Sequence, residues 1–170
     1  MGHCGNTLFP LTIGSGADRL VSEAGEVMAE RSKDWLTQAK RDLASAKSQC
    51  KEGYYEWATF ISQQSAEKAL KAVLQKNNAE AWGHVTTKLL EAIEEHTGHM
   101  SNLRDAALFL DKFYIPARYP NGWSEGTPAD FITKDDADNA IDNSEKILRF
   151  CESFFLRPGP SEEENSSSNT

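Results

Sequence analysis

The chain has 170 residues and a formal net charge of -8. Its length suits one domain with a single core, and its acidic balance argues against bulk-charge binding of nucleic acid or an anionic membrane, since phosphates attract an excess of Lys and Arg. The three cysteines lack a CxxC or other ligand-like spacing, which argues against a disulfide framework and a metal site and favours a reducing, cytoplasmic location.

Residues 1–31 carry the weakest pattern in the chain. The apolar patch from Leu8 to Ile13 is interrupted by Pro10 and has no basic residue ahead of it, so it makes a poor signal peptide and is too short to span a bilayer. Residues 14–16 have the composition of a linker. We expect a weakly ordered N-terminal extension, with a short amphipathic helix from Leu20 to Met28 as the alternative.

The first strong helical pattern is predicted from Ser32, a good N-cap residue, to about Lys51. Apolar residues spaced by three and four place one face inward; they are Trp35, Ala39, Leu43, Ala46 and Cys50. The opposite face is basic and is typical of a solvated surface. Gly53 then ends the helix, and so short a link predicts an antiparallel hairpin with the next helix.

The second helix, Tyr54 to Gln75, is predicted to be the central one. It has no Gly or Pro, and its apolar arc is so broad that neighbouring helices must cover it on more than one side. Any chemistry on this helix would use its polar residues, which are Gln63, Gln64, Glu67, Lys68 and Lys71. The alternative for Glu67 and Lys71, four residues apart, is a simple surface ion pair.

Three more helices are predicted after the central one. The third runs from His84 to His96, with Val85, Leu89, Leu90 and Ile93 inward. His84, at its start, is either a packing residue or a polar group that faces a cleft. The fourth is predicted to begin at Ser101 and to stop at Ile115, because the residue before Pro116 is disfavoured in a helix. Thr133 is predicted to cap the last helix, which extends to about Phe155.

The segment Pro116 to Ile132 has three prolines and two glycines and is predicted to be a long non-helical loop. A loop of this length inside a compact domain is usually functional or mobile. Residues 157–170 are acidic and Ser-rich, and we expect a disordered tail. Because no strand pattern is found, we expect an all-α antiparallel bundle of about five helices over residues 32–156.

Three motifs in this order resemble the HEPN family, named for higher eukaryotes and prokaryotes nucleotide binding. They are W-L-x-x-A-x-x-D-L from Trp35 to Leu43, Q-Q-x-A-E-K-A-L-K from Gln63 to Lys71, and Y-x-x-x-R-Y-P-N from Tyr114 to Asn121. The resemblance covers residues 32–155. It implies a small antiparallel bundle, usually a homodimer, either a stand-alone prokaryotic protein beside a small nucleotidyltransferase or the end module of chaperone-like proteins such as sacsin.

Many HEPN proteins are metal-independent ribonucleases whose signature is an Arg followed, after four to six residues, by His. The candidate here is Arg118, but residues 119–125 contain no His, and Arg104 is followed by none within residues 105–110. Without an imidazole, general acid-base catalysis loses a factor of roughly 10² to 10⁴. The resemblance therefore favours the sacsin-like, nucleotide-binding kind over a catalytic one.

A nucleotide site needs Arg or Lys donors for phosphates and an aromatic surface for the base. Both kinds of group meet at the start of the long loop, and lysines of the central helix add charge. The candidate nucleotide-binding residues are Arg118, Tyr119, Tyr114, Lys68, Lys71 and His84. We expect GTP or ATP as ligand, no tightly bound cofactor, and leave the magnesium requirement open.

Arg118 has a structural alternative, in which it ties the loop to helix carbonyls or to Asp111. The whole module also has an alternative function, as a dimerisation or protein-interaction domain of a chaperone-like system. In that case Trp57, Trp82 and Trp123 are expected to bury against a second copy. A toxin-like ribonuclease, or a partner of a small nucleotidyltransferase, is the remaining alternative.

Overall fold

The computed structural model describes the backbone of residues 17–156 and the side chains of residues 31–156. That part of the chain is all-α and contains no strand. Its elements are α1 (Ala17–Lys51), α2 (Tyr55–Lys76), α3 (Thr86–Thr97), α4 (Arg104–Asp111), a 3-10 turn (Pro120–Gly122), α5 (Pro128–Phe131) and α6 (Lys134–Leu156). The predicted all-α bundle is confirmed.

Helix α2 is the centre of the bundle, as its broad apolar arc predicts. It contacts α1, α3, α4 and α6. Its alanines are fully buried, so the neighbouring backbones approach closely, while Leu70 and Leu74 fill the space between them. Gly53, at φ 85°, makes the sharp turn between α1 and α2, a conformation that residues with a side chain rarely adopt. The two helices form the predicted antiparallel hairpin.

The first helix begins earlier than its sequence pattern indicates. We predicted a start at Ser32, whereas α1 runs from Ala17 and Ser32 is a buried residue inside it. No proline interrupts residues 17–51, and most residues just before Ser32 are good helix formers, so a preferred cap residue does not start a helix here. The predictions for residues 1–16 and 157–170 lie outside the described residues, and the proposed domain boundaries remain predictions.

The segment 116–132 was predicted to contain no helix, and this is wrong. Two of its prolines begin short helical turns, the 3-10 turn at Pro120 and α5 at Pro128. Proline suits the first position of a helix, where its missing N–H is not needed. Thr127 and Asp130 form a capping box at α5, and Trp123 stacks on Phe131 with 4.6 Å between ring centroids.

Two predicted boundaries around α3 and α4 also differ. Helix α4 ends at Asp111 instead of Ile115, and the chain continues in turns up to Arg118. Val85 was predicted to point inward but is about half exposed, because it precedes α3 in an extended conformation and so lies outside the helical periodicity.

Two of the three cysteines lie in the core of the bundle. Cys50 and Cys151 are free and buried, as expected of small core residues. Burial raises the pKa of both thiols, and Asp138 raises that of Cys50 further. Within the described residues, no helix is long and apolar enough to cross a membrane, and no group of three or more potential metal ligands occurs.

Asp111, the last residue of α4, joins α4 to the start of α3. Its Oδ1 accepts hydrogen bonds from the backbone N–H (2.7 Å) and hydroxyl (2.7 Å) of Thr86, and its Oδ2 accepts from the N–H (3.1 Å) and hydroxyl (2.8 Å) of Thr87. These are donors at the α3 N-terminus that the helix itself cannot satisfy. The carboxylate therefore fixes where α3 begins.

Replacing Asp111 by Ala is expected to lower the free energy of unfolding by about 1–3 kcal/mol, because the buried N–H of Thr86 loses its acceptor, while the Thr86 hydroxyl keeps the Ala107 carbonyl. Urea unfolding followed by circular dichroism measures it. Glu95→Ala, an exposed site on α3, serves as the control and is expected to change stability by no more than about 0.5 kcal/mol. Equal effects of the two substitutions would contradict this role for Asp111.

Candidate functional site

A buried carboxylate lies at the centre of the polar residues of α2. Glu67 is only 4% exposed. Its Oε1 is 2.9 Å from Lys71 Nζ and 3.0 Å from His84 Nδ1, and its Oε2 accepts from Gln64 at 3.2 Å and, more weakly, from Gln63 at 3.4 Å. These residues of α2 meet because positions three and four apart share a helix face. We call these five residues the Glu67 cluster.

The Glu67–Lys71 pair was given a surface ion pair as its alternative, and the structure contradicts that alternative. The two side chains are 5% and 11% exposed, and Lys71 Nζ also lies 5.9 Å from the ring centre of Trp35. A charge removed from water needs an opposite charge and hydrogen bonds. Each member of the pair therefore depends on the other.

His84 lies at the open edge of the cluster, in the segment between α2 and α3. Its side chain is 58% exposed. A carboxylate only accepts hydrogen bonds, so Glu67 holds the proton of the neutral ring on Nδ1 and leaves the Nε2 lone pair free. The imidazole stacks on Tyr114 with 5.4 Å between ring centroids, and Gln63 donates to the His84 carbonyl at 2.9 Å. Its position is thus fixed at three points.

Arg118 lies against the same tyrosine. Its guanidinium carbon is 4.6 Å from the ring centres of Phe60 and Tyr114 and 5.0 Å from that of Tyr119. Its Nε donates to the Tyr114 carbonyl at 2.9 Å, which lies in the turns after α4, so the alternative that it ties the loop to a helix carbonyl is not observed. Within residues 31–156, no carboxylate forms an ion pair with it. We call Phe60, Tyr114, Arg118 and Tyr119 the arginine cluster.

The other alternative for Arg118, a bond to Asp111, is not observed, because that carboxylate accepts from Thr86 and Thr87. Among the partners that residues 31–156 offer, the guanidinium uses one of its five N–H groups, meets no carboxylate and is held in place by aromatic faces. Such a fixed fork of donors suits a phosphate or carboxylate.

The structure brings together five of the six predicted site residues. Tyr114, Tyr119 and Arg118 form one group with His84, and Lys71 joins them through Glu67. Lys68 is directed elsewhere, since its Nζ pairs with Asp42 of α1 at 2.6 Å. Sequence reasoning named Glu67 among the polar residues of the central helix but not among the candidate nucleotide-binding residues, although its place near Gln63, Gln64 and Lys71 on one helix face was a usable signal.

The three tryptophans predicted to form an interface differ in exposure. Trp57 is about half exposed and packs edge-on against Phe60 of the arginine cluster at 6.2 Å. Trp82 is 81% exposed, and its indole N–H donates to Glu80. Trp123 packs inside its own loop, where its indole N–H donates to the Pro116 carbonyl at 2.8 Å. Of the three indole rings, those of Trp57 and Trp82 therefore have enough exposed area to contact a partner.

Residues 32–154 match the family model described as the HEPN domain. The chain is also similar to solved structures. TT1696 from Thermus thermophilus is 41% identical, with a TM-score of 0.69, covering 72% of this chain and 97% of that one. An archaeal HEPN homologue, ST0689, is 39% identical, with a TM-score of 0.61, covering 73% and 97%.

The chain is similar to two further proteins. A HEPN domain protein of Thermotoga maritima is 35% identical, with a TM-score of 0.60, covering 74% of this chain and 99% of that one. A Methanocaldococcus jannaschii protein named "Putative toxin MJ1304" is 26% identical over 130 residues, covering 71% of this chain and 86% of the relative. The residues that match the family model include both clusters.

A double-mutant cycle tests the buried pair. Glu67→Gln is expected to lower the free energy of unfolding by about 3 kcal/mol, because it leaves Lys71 buried without a counter-charge. Adding Lys71→Met to that variant is expected to restore part of the loss. The exposed pair Lys134–Asp138 gives the control cycle, in which a coupling of no more than about 0.5 kcal/mol is expected. Strictly additive effects of Glu67→Gln and Lys71→Met in urea unfolding would contradict the dependence.

Proposed function

Because the chain belongs to the HEPN domain family, we propose that it is a homodimeric binding module that takes the phosphates of a purine nucleotide, GTP or ATP, at the arginine cluster. The observation that carries this proposal is Arg118. Its guanidinium is fixed by three aromatic rings and one hydrogen bond and has no ion-pair partner among the described residues. A guanidinium held in this way presents its remaining donors in a fixed fork that matches the oxygens of a phosphate.

The neighbours of Arg118 suit the rest of such a ligand. His84, on the same Tyr114 ring, has a largely exposed side chain and offers its second ring nitrogen for a hydrogen bond. Tyr119 is about half exposed and offers an aromatic face close to the guanidinium. The Glu67 cluster holds His84 in place before the ligand arrives, which reduces the ordering cost of binding.

The dimer part of the proposal is supported by exposed aromatic surface beside the site. Trp57 and Tyr119 are both about half exposed; Tyr119 belongs to the arginine cluster, and Trp57 packs against its Phe60. Aromatic residues of this kind are enriched where proteins associate. A partner at this surface would be coupled to the ligand. The sacsin-like kinship, a chaperone or nucleotidyltransferase partner and the cytoplasmic location stay predictions.

Calorimetric titration with GTP and ATP, with and without magnesium, tests the nucleotide site. Arg118→Met keeps an apolar stem against Phe60 but removes the charge, and affinity is expected to fall about 10- to 100-fold, as for loss of a charge-assisted hydrogen bond. Arg149→Met, at an exposed arginine of α6, is the control and is expected to bind as the wild type does. Light scattering reports the mass of each variant. A stable dimer that gives no heat with any nucleotide would overturn the binding proposal.

A second function, cleavage of RNA, is favoured by the pairing of His84 with Glu67 and by the Tyr114 ring that His84 and Arg118 both contact. No His follows Arg118 within residues 119–125 of the sequence. In the fold, however, the imidazole of His84 stacks on Tyr114, the ring that Arg118 also contacts. A 2′-hydroxyl could lose its proton to Nε2 and attack the adjacent phosphorus, while Arg118 stabilises the developing charge and the 5′-oxygen leaves with a proton from water. The name of the Methanocaldococcus jannaschii relative fits this function.

Cleavage is tested with a fluorescent single-stranded RNA in the presence of EDTA. If His84 is the base, wild-type protein cleaves and His84→Gln loses at least about 100-fold in rate, while the exposed His96→Gln variant cleaves normally. An identical DNA oligonucleotide, which lacks the 2′-hydroxyl, is expected to stay intact. Cleavage that survives in His84→Gln, or no cleavage of RNA by the wild type, would exclude this function.

A further inference from the structure

A cavity of about 280 Å³ lies where the end of α2 meets the segment that leads to α3. It is lined by Gln75 of α2 and by Glu80, Ala81 and Trp82 of that segment. No member of the Glu67 cluster or the arginine cluster is among these lining residues, so this is a separate site. The indole of Trp82 is largely exposed, and such a ring is typical of a surface that binds another molecule.

The segment that carries the cavity is tied to α2 at both of its ends. The Ala79 N–H donates to the Leu74 carbonyl at 2.9 Å, and the His84 carbonyl accepts from Gln63 at 2.9 Å. Between these two points, Ala81 packs against the hydrophobic core. The cavity is therefore formed before a ligand arrives, which reduces the ordering cost of binding.

The described lining of the cavity offers hydrogen-bond acceptors but no cation. Glu80 Oε2 accepts the Trp82 indole N–H at 3.1 Å, and this carboxylate forms no ion pair within residues 31–156. Gln75 Oε1 is shielded from solvent and accepts no hydrogen bond from the described residues; rotation of this half-buried side chain would turn the oxygen toward a donor in the cavity. Lys76, which follows Gln75, lies over Phe155 instead, with Nζ 5.2 Å from the ring centre.

We propose that this cavity binds an arginine side chain of a partner protein. A guanidinium is planar and stacks on an indole face, where the attraction between the cation and the ring adds to the contact. Its five N–H groups point in several directions, so some can donate to the Glu80 carboxylate while the group stays stacked on Trp82. The others are then available to the carbonyl oxygen of Gln75.

The charge of the whole chain favours a basic partner. Its net charge of -8 attracts a surface rich in Arg and Lys and repels an acidic one. Lysine suits the cavity less well than arginine, because its ammonium is a strongly hydrated point charge without a flat face to stack. The exposure of Trp82 lets a side chain that is fixed on another protein reach the ring directly.

The probe for this site is the peptide acetyl-Gly-Arg-Gly-amide, with matched peptides that carry lysine or citrulline in place of arginine. Citrulline keeps the planar shape of the side chain but has no charge. Proton–nitrogen correlation spectra of the full chain report binding through the indole N–H signal of Trp82, which the Trp82→Leu variant identifies. The arginine peptide is expected to shift this signal saturably. The lysine peptide is expected to bind more weakly, and the citrulline peptide weaker by about tenfold or more.

Variants of the cavity test which groups bind the peptide. Glu80→Gln keeps an acceptor for the indole N–H but removes the charge, and it is expected to weaken the arginine peptide by about tenfold or more. Trp82→Leu, followed through the amide signal of Ala81, is expected to weaken it by about threefold or more. Glu56→Gln, at the acid that precedes Trp57, is the matched control and is expected to bind as the wild type does.

Several results would overturn the proposal. Equal affinities for the arginine peptide and either matched peptide would exclude recognition of the guanidinium, and unchanged binding in Glu80→Gln would exclude the carboxylate. Equal shifts of all four indole signals of the chain would show only a general attraction of a cationic peptide. A lower mass of Trp82→Leu in light scattering would show that this ring is buried against a second copy instead. None of these results depends on nucleotide binding at Arg118.

Discussion

The arrangement of the site depends on one constraint, that a carboxylate buried in a helical bundle must be given donors. Glu67 meets it with the side chains of Lys71, His84, Gln63 and Gln64. Three of these come from α2 itself and fix the polar face of that helix. The fourth, His84, comes from another segment, so satisfying Glu67 also determines where the chain between α2 and α3 lies. An electrostatic requirement of one side chain thus becomes a positional constraint on the site.

Asp111 meets a similar requirement at the other end of the same segment, with the two oxygens of its carboxylate shared between Thr86 and Thr87. His84 is therefore held by Glu67 on one side, and the start of α3 is held by Asp111 two residues later. The turns that follow Asp111 carry Tyr114 and Arg118. Two carboxylates of different helices consequently set the relative positions of His84 and Arg118, which are far apart in sequence.

Helical periodicity was sufficient to predict α2, α6 and the α1–α2 hairpin, because apolar spacing reports directly which faces are covered. It failed for Glu67 and Lys71, since a pattern of apolar and polar residues assigns charged groups to solvent and cannot show that two charges are buried together. The prolines caused a different error. They predicted a non-helical segment, whereas Pro120 and Pro128 each begin a helical turn. The spacing of Arg118 from the next His described the sequence correctly but did not show that the His84 imidazole and Arg118 contact the same tyrosine ring.

A chain with a net charge of -8 repels an anion at long range, so any attraction must come from contacts within about a Debye length of 8 Å at physiological salt. Many cations here are paired with carboxylates, among them Lys40, Lys68, Lys134 and Arg149, and contribute little net potential. Arg118 differs because aromatic rings, which carry no net charge, hold it in place. The rings fix its position without cancelling its charge. An acidic protein can therefore still attract a phosphate locally. The selectivity of binding is then determined by the short-range contacts of the site.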